Sequence, residues 1–153
     1  MKRLRLAVLL FAMGLPTMAQ SILGNWKTID DETGLAESIV HIYEQEGVVF
    51  GRVVTLLQPE DKGKRCTRCK GAENDQPIAG MCILKGMKKG AGSRYKGGTI
   101  FDPKKGKVYR CVIWLDEKNP DILHVRGYIM FLYRTQVWYR FANPASPAAS
   151  PAL

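Results

Sequence analysis

Most of the chain after residue 20 consists of short runs in which apolar and polar residues alternate, separated by Gly, Pro, Asp and Asn. Such runs are typical of antiparallel β-strands that bury one face. No helical period is sustained and no internal repeat is visible. The alternation predicts strands over residues 37–44, 48–56, 107–115, 122–130 and 134–141, with a further strand starting at 99–101.

Turn residues join these predicted strands. Glu46-Gly47 connects the first two as a hairpin, and Gly51 is a candidate β-bulge. Residues 102–106 predict a turn because Pro presets φ early and Gly accepts a positive φ late. Residues 116–121 form another predicted turn.

Three segments are less regular. Residues 58–77 form a long polar loop that carries several basic side chains and two cysteines, and loops of that length are usually functional or mobile. Residues 78–84 are apolar and fit either a strand or one helical turn. The Gly- and Lys-rich residues 86–98 predict a loop.

Seven or eight strands in roughly 120 residues suit an up-and-down barrel or a sandwich. A closed barrel leaves no strand edge unpaired, and an eight-stranded barrel has room for packed side chains or one small ligand. We therefore expect an all-β fold, a small up-and-down barrel with a long Cys-containing loop.

The first 19 residues have the parts of a cleavable secretory signal peptide in order. Three basic residues precede an apolar run over 6–15, and Thr17-Met18-Ala19 offers small residues for cleavage after Ala19. The run is shorter than the ~20 residues of a membrane span, so we expect no transmembrane segment after cleavage. The expected organisation is a periplasmic domain over 20–141 and a disordered Ala-, Pro- and Ser-rich tail over 142–153.

The net charge is +9, and loss of Lys2, Arg3 and Arg5 with the signal peptide lowers it to +6. An exported protein rarely meets nucleic acid, so we expect no nucleic-acid partner. The remaining charge fits solubility and attraction to an anionic envelope surface, for which the loop at 58–77 is the candidate contact.

The four cysteines are candidates for disulfides, since an even number in an oxidising compartment favours pairing. Cys66, Cys69, Cys82 and Cys111 allow three pairings, among which spacing does not choose. Basic neighbours of Cys66-x-x-Cys69 would lower a thiol pKa, which leaves a redox role open. A structural disulfide is favoured because no βαβ context surrounds the pair.

Neither a metal site nor a catalytic site emerges from the sequence. The cysteines lack a second closely spaced pair, and His41 and His124 stand alone on strand patterns, so we assign no metal and no cofactor. Asp30, Asp31 and Glu32 cluster in a predicted turn and are interpreted as solvated. No nucleophile elbow or triad is visible, which favours a non-enzymatic protein.

Rows of basic and aromatic residues on the last two strands are the candidate binding surface. If these rows face the lumen, they suit a small amphipathic or anionic ligand. If they face solvent, they form an ordinary polar outer face of the sheet, which is the arrangement that antiparallel sheets favour. The candidate ligand-binding residues are Trp26, Tyr43, Arg52, Tyr109, Arg126, Tyr128, Arg134 and Trp138.

Both ends of the domain resemble a known pattern. Gly24-Asn25-Trp26 on the first strand, with Trp138 and Arg140 on the last, resembles the lipocalin (calycin) family. In that family an Arg typically packs across the Trp and closes the barrel bottom. A guanidinium can stack on an indole while it bonds nearby carbonyl groups.

A longer string of motifs is more specific. Gly24 to Asp31, Cys66-Thr67-Arg68-Cys69-Lys70-Gly71, Val125-Arg126-Gly127-Tyr128 and Arg134 to Trp138 follow in that order. The string resembles the bacterial exported family called domain of unknown function 2147, over roughly residues 22–141. The resemblance implies a lipocalin-like barrel and periplasmic residence, and it brings no catalytic residues. Cys82 is not expected from the pattern.

The sequence leaves three functions open. The first is a periplasmic binding module for a small amphipathic or anionic ligand. The second is an envelope structural or interaction protein that uses the basic loop at 58–77. The third is a thiol-disulfide protein that uses Cys66 and Cys69.

The signal peptide makes a prediction about mass. Protein recovered from the periplasmic fraction should have the intact mass of a chain that begins at Gln20, because cleavage follows Ala19. Mass spectrometry of the purified protein measures this directly. A mass that still includes residues 1–19 would contradict the prediction.

Overall fold

The computed structural model describes residues 21–142. The predicted signal peptide, and all but the first residue of the predicted tail at 142–153, lie outside the described residues. Within residues 21–142 there are eight strands, namely β1 (Gly24–Ile29), β2 (Ala36–Gln45), β3 (Val48–Leu56), β4 (Cys82–Lys89), β5 (Arg94–Asp102), β6 (Lys107–Leu115), β7 (Ile122–Ile129) and β8 (Leu132–Arg140).

Each strand pairs with the next in an antiparallel ladder, and β8 returns to β1 to close an up-and-down barrel. The closing seam is short, with Trp26 opposite Arg140 and Lys27 opposite Tyr139. Closure leaves no open sheet edge among the described strands, which removes the template for edge-to-edge association. The predicted all-β barrel is confirmed, and the sandwich alternative is excluded.

The prediction of a loop over residues 86–98 is wrong. Strands β4 and β5 cross this segment as a hairpin, and only a tight turn separates them. Gly98 lies against the Lys85 carbonyl oxygen and the Met87 sulfur, where no Cβ fits. The glycines therefore allow close approach within the sheet, and Gly86 adopts a φ of +72°.

Two other local predictions are resolved. Strand β4 starts at Cys82, so residues 78–81 precede it without forming a helix. The β3–β4 register shifts on both sides of Gly51, which confirms the bulge expected there. A Cβ on Gly51 would lie 2.9 Å from the Leu84 Cβ, so the bulge also brings the two strands close together.

Trp26 and Arg140 close one end of the barrel. Trp26 is 0% exposed, and its indole Nε1 donates to the Ile22 carbonyl oxygen at 2.8 Å. The Arg140 guanidinium carbon lies 4.3 Å from the centre of the indole ring. Arg140 also donates to the Ser21 carbonyl oxygen at 2.9 Å and pairs with Asp121 at 3.0 Å. The expected Trp–Arg closure is confirmed.

The barrel interior next to this closed end is filled with apolar side chains. The core members that are almost entirely buried here are Ile42, Val49, Met87, Ile113 and Leu123. Inward and outward residues alternate along each strand, as the period-two pattern requires. Within residues 21–142 no helix is long and apolar enough to cross a membrane.

The tight contact at Gly98 predicts a strong effect of one added methyl group. Gly98→Ala should lower the free energy of unfolding by about 1–3 kcal/mol, because the strands must move apart to accept a Cβ. Urea denaturation measures the change. Gly90→Ala is the matched control, since its Cβ would meet only the flexible Lys96 side chain. Equal stability of the two variants would contradict the prediction.

Candidate functional site

The barrel interior at the end opposite Trp26 is not filled. A cavity of about 230 Å³ opens there, next to the β1–β2 and β5–β6 turns and the β3–β4 loop. Roughly 150 Å³ is enough to hold benzene, and drug-sized ligands occupy roughly 300–1,000 Å³. The cavity therefore fits a small molecule. Its apolar wall is formed by Val53, Leu56, Ile78, Ile83, Ile100, Phe101, Val125 and Trp138.

Polar groups are placed at separate points within this wall. The hydroxyls of Thr28 and Ser38 are buried and bond to each other at 2.8 Å, so each satisfies the other. Burial raises the pKa of Tyr109, with Asp102 adding to the rise and Arg134 opposing it. The Tyr109 phenol thus remains neutral at ordinary pH and can both donate and accept a hydrogen bond.

The rim of the cavity carries more acid than base, although the whole chain has a net charge of +9. Among the described residues, six carboxylates and four cationic side chains line the cavity. The acidic members are Asp30, Asp31, Glu32, Glu37, Asp61 and Asp102, and the basic members are Lys64, Lys104, Lys105 and Arg134.

Ion pairs hold the rim together. Lys104 Nζ lies 2.5 Å from an Asp30 oxygen and 2.8 Å from a Glu37 oxygen. Arg134 pairs with Asp31 at 2.6 Å, and Gln136 Nε2 donates to the same carboxylate at 3.1 Å. The β1–β2 turn is therefore tied across the mouth to the β5–β6 turn and to β8.

The same contacts determine the protonation states of Asp30 and Lys104. The hydrogen bond from Lys104, with backbone N–H groups of Thr33 and Glu32, holds the pKa of Asp30 well below its usual range. Burial alone would lower the pKa of Lys104, but hydrogen bonds to Asp30 and Glu37 raise it above its usual value. Both groups are charged across the physiological range.

The β3–β4 connection, residues 57–81, is called the cysteine loop below. A disulfide joins Cys66 and Cys69, whose Cα atoms are 5.4 Å apart, and both side chains are buried. The Cys66 sulfur lies 3.2 Å from the Pro103 carbonyl oxygen, and the Arg68 carbonyl packs directly on Gly106. The loop is thus folded against the β5–β6 turn and contributes Ile78 to the cavity wall.

The other two candidate cysteines are not paired in the structure. Cys82 is partly buried and Cys111 is buried, and each has a free thiol. Burial raises the pKa of Cys111 to about 12, so its thiol stays protonated and behaves as a small apolar core group. The pairing that spacing left open is thus Cys66 with Cys69 alone.

The structure separates the eight residues predicted to bind ligand. Tyr109, Arg134 and Trp138 line the cavity. Trp26 lies in the closed end, away from the cavity. The remaining four lie on the outer surface of the barrel, at Tyr43, Arg52, Arg126 and Tyr128.

The two polar rows on the last strands point to opposite faces. Arg126 is opposite Thr135 on the outside, whereas Arg134 is opposite Gly127 on the inside. The polar row of β8 therefore faces the lumen, and the polar row of β7 faces solvent. The lumen-facing alternative thus holds for β8, and the solvent-facing alternative holds for β7. Ligand contact by any of these residues remains a prediction.

Several residues of the rim were not expected from the sequence. Asp30 and Asp31 had the pattern of a solvated turn, and nothing in the sequence pointed to their contacts with Lys104 and Arg134. An available signal was a cluster of acids next to a predicted strand in a basic chain. Within residues 21–142 no group of three or more His, Cys, Asp or Glu residues could hold a metal ion.

Residues 24–140 match the protein family described as "Uncharacterized protein conserved in bacteria (DUF2147)". The chain belongs to the DUF2147 family. This DUF2147 chain also superimposes on the Helicobacter pylori protein HP1028, described as belonging to the lipocalin family, with a TM-score of 0.70. The two are 17% identical, and the match covers 80% of this chain and 84% of HP1028. The fold is thus lipocalin-like. No curated protein sequence matches at a significant level.

The rim pairs of this DUF2147 protein predict a stability that depends on pH. Because the pKa of Asp30 is depressed on folding, its ion pair stabilises the protein above the ordinary value of 3.8, and this stabilisation is lost as the pH falls through the folded pKa. Asp30→Asn should therefore lower stability at neutral pH, and its difference from the unsubstituted protein should shrink below about pH 4.

Urea denaturation at a series of pH values measures this difference. Glu32→Gln is the matched control, because it removes a carboxylate from the same turn that forms no ion pair with a described residue. The control should change stability less at neutral pH. A difference for Asp30→Asn that stays constant from pH 7 to pH 3 would contradict the assignment.

Proposed function

We propose that this DUF2147 protein is an exported, non-enzymatic binding protein for a small amphipathic molecule. The apolar part of the ligand occupies the barrel cavity, and its polar group lies at the charged rim. The observation that carries the proposal is the cavity of about 230 Å³, whose wall is apolar and whose mouth is polar. Pockets with this division of chemistry are typical of small-molecule sites.

The geometry supports entry from one end only. The Trp26–Arg140 closure and the packed core fill the opposite half of the barrel. An apolar chain or ring that enters at the rim therefore stops against buried side chains in the middle of the barrel. The length of the apolar part is limited by this internal floor, which gives the site selectivity for size.

The charge of the rim favours a neutral or cationic polar group over an anionic one. Carboxylates exceed cations there, and both Arg134 and Lys104 are engaged by acidic partners. An anionic ligand would meet like charge unless it displaced Asp31 or Asp30 from these pairs. Of the two ligand classes that the sequence left open, the amphipathic one is favoured.

Residence in the periplasm is part of the proposal. It is supported by the charged, apolar and small-residue segments of residues 1–19 in signal-peptide order. The Cys66–Cys69 disulfide is also consistent with an oxidising compartment, where such bonds persist.

The cysteine loop is less suited to the two alternative functions. Its basic residues are nearly balanced by Glu60, Asp61, Glu73 and Asp75, and two of its cations form ion pairs within the loop. Cys66 is 1% exposed and Cys69 is also buried, whereas thiol-disulfide exchange needs access to a sulfur. Neither an anionic surface contact nor a redox reaction is favoured at this loop.

Three ligands with the same eight-carbon alkyl chain test the proposal. Octanol, octylammonium and nonanoate differ only in the polar group attached to that chain, so differences in their dissociation constants report the rim. Titration calorimetry should show that octanol and octylammonium bind, and that nonanoate binds several-fold more weakly because of like charge at the rim. Tightest binding of nonanoate would instead support an anionic ligand.

A variant that fills the cavity separates lumen binding from surface binding. A Cβ at Gly127 has ordinary contacts with Tyr109 and Ile100, so Gly127→Val adds carbon atoms to the cavity wall. We expect it to weaken all three ligands together. Val54→Thr is the control, because Val54 is exposed on the outside of β3. Equal affinities for both variants would contradict binding in the lumen.

A further inference from the structure

The β7–β8 hairpin ends in five consecutive exposed side chains, Ile129, Met130, Phe131, Leu132 and Tyr133, called the apolar tip below. Met130 is 81% exposed and Phe131 is 84% exposed. Four of the five side chains are nonpolar, and Tyr133 adds an aromatic ring with a polar end. Exposed apolar groups that are contiguous, rather than scattered, mark sites of interaction with a protein or a membrane.

The apolar tip is convex and lies beside the mouth of the cavity. Its turn is tight, with Met130 at a φ of +54°, so Met130 and Phe131 stand at the end of the hairpin. Ile129 belongs both to the tip and to the cavity lining. Continuing the register that pairs Arg110 with Tyr128 brings Val108, which is also exposed, beside Met130. The tip therefore forms an apolar lip on one side of the mouth.

Charge is segregated around this lip. Strands β6, β7 and β8 contain no Asp or Glu, although the chain has 14 acidic residues. Arg110 and Arg126, on the outer face of these strands, form no ion pair with a described residue. The outer face behind the apolar tip is thus positively charged, whereas the carboxylates of the rim lie on the β1–β2 turn, on β2, in the cysteine loop and at the end of β5.

Aromatic rings and guanidinium groups alternate on the same outer face. The Arg126 guanidinium carbon lies 4.3 Å from the Tyr133 ring centre and 5.0 Å from that of Trp114. The Tyr128 and Tyr133 rings are 6.1 Å apart. Stacking holds Arg126 flat against the sheet while it keeps its charge. Tyrosine and arginine side chains of this kind suit the polar boundary of a lipid bilayer.

We propose that the apolar tip and the basic outer face of β6–β8 dock the protein on an anionic lipid bilayer. The tip inserts its side chains among the lipids, and Arg110 and Arg126 contact the lipid phosphates. Apolar insertion and electrostatic attraction add in such binding. The two surfaces are adjacent, so one orientation of the barrel satisfies both.

Charge complementarity selects a bilayer over a second copy of the chain. A symmetric dimer through the apolar tip would bring the basic faces of two copies near each other, where like charges repel. An anionic membrane offers the opposite charge over a broad surface and accepts a convex apolar tip without a matching pocket. In the docked orientation the apolar lip of the cavity mouth faces the lipid, whether or not the cavity holds a ligand.

Vesicle co-sedimentation of the protein recovered from the cell envelope tests the proposal. Vesicles of phosphatidylethanolamine and phosphatidylglycerol in a 7:3 ratio provide an anionic surface, and phosphatidylcholine vesicles provide a zwitterionic one. We expect binding to the anionic vesicles that weakens at high salt. The double variant Phe131→Ser/Leu132→Ser should bind at least about tenfold more weakly, because two exposed apolar side chains are lost.

Matched variants separate the two contributions. Arg110→Gln should weaken binding to anionic vesicles by roughly fivefold, with little effect on phosphatidylcholine. Val54→Ser removes an exposed apolar group from β3, away from the apolar tip, and should bind as the unsubstituted protein does. All variants keep the same N-terminus, so any contribution from that segment cancels. Unchanged thermal unfolding of each variant excludes a folding defect.

Three outcomes would overturn the proposal. The first is no binding of the unsubstituted protein to anionic vesicles. The second is undiminished binding by the Phe131→Ser/Leu132→Ser variant. The third is a dimer in sedimentation experiments that this variant dissociates, without vesicle binding, which would identify a second copy as the occupant of the apolar tip. These results do not depend on the cavity, since the octanol series tests that site separately.

Discussion

The stacking of Arg140 on Trp26 is the contact on which the architecture depends most. The β1–β8 seam has only two paired positions, one of which is this pair, so the barrel is closed by a short ladder and one guanidinium. The same guanidinium bonds the chain before β1 and the β6–β7 turn. Three separate parts of the chain therefore meet at one side chain. Because this end is sealed, the cavity opens only at the other end.

At the open end, charges take the place of apolar packing. The carboxylates of the β1–β2 turn are too few and too near solvent to form a core, yet their pairs with Lys104 and Arg134 hold three separated segments in place. The Cys66–Cys69 disulfide keeps the cysteine loop compact beside them. A barrel mouth held in this way can stay polar and open while the wall below it stays apolar.

The sequence predicts those parts of the fold in which a single local pattern decides the outcome. Strand β6 agrees with its predicted bounds because alternation is unbroken over 107–115. The prediction of a loop at 86–98 was wrong because glycine occurs both in flexible loops and in strands that approach closely. Here the glycines belong to closely packed strands, as the position of Met87 against Gly98 shows. The ion pairs of the rim could not be predicted from a local pattern, since Asp30 and Lys104 are 74 residues apart in sequence. Tyr109 and Trp138 were identified, but which face of each strand is inward depends on closure of the barrel.

The absence of acidic residues from β6–β8 has a consequence for motion before any contact is made. Arg110 and Arg126 lack an ion-pair partner among the described residues, and the carboxylates lie in turns, in β2, at the end of β5 and in the cysteine loop. The molecule therefore carries a permanent electric dipole moment. An external field exerts a torque on such a dipole. Within about 10 Å of a charged surface at 0.1 M salt, the barrel would therefore rotate into a preferred orientation while it is still diffusing.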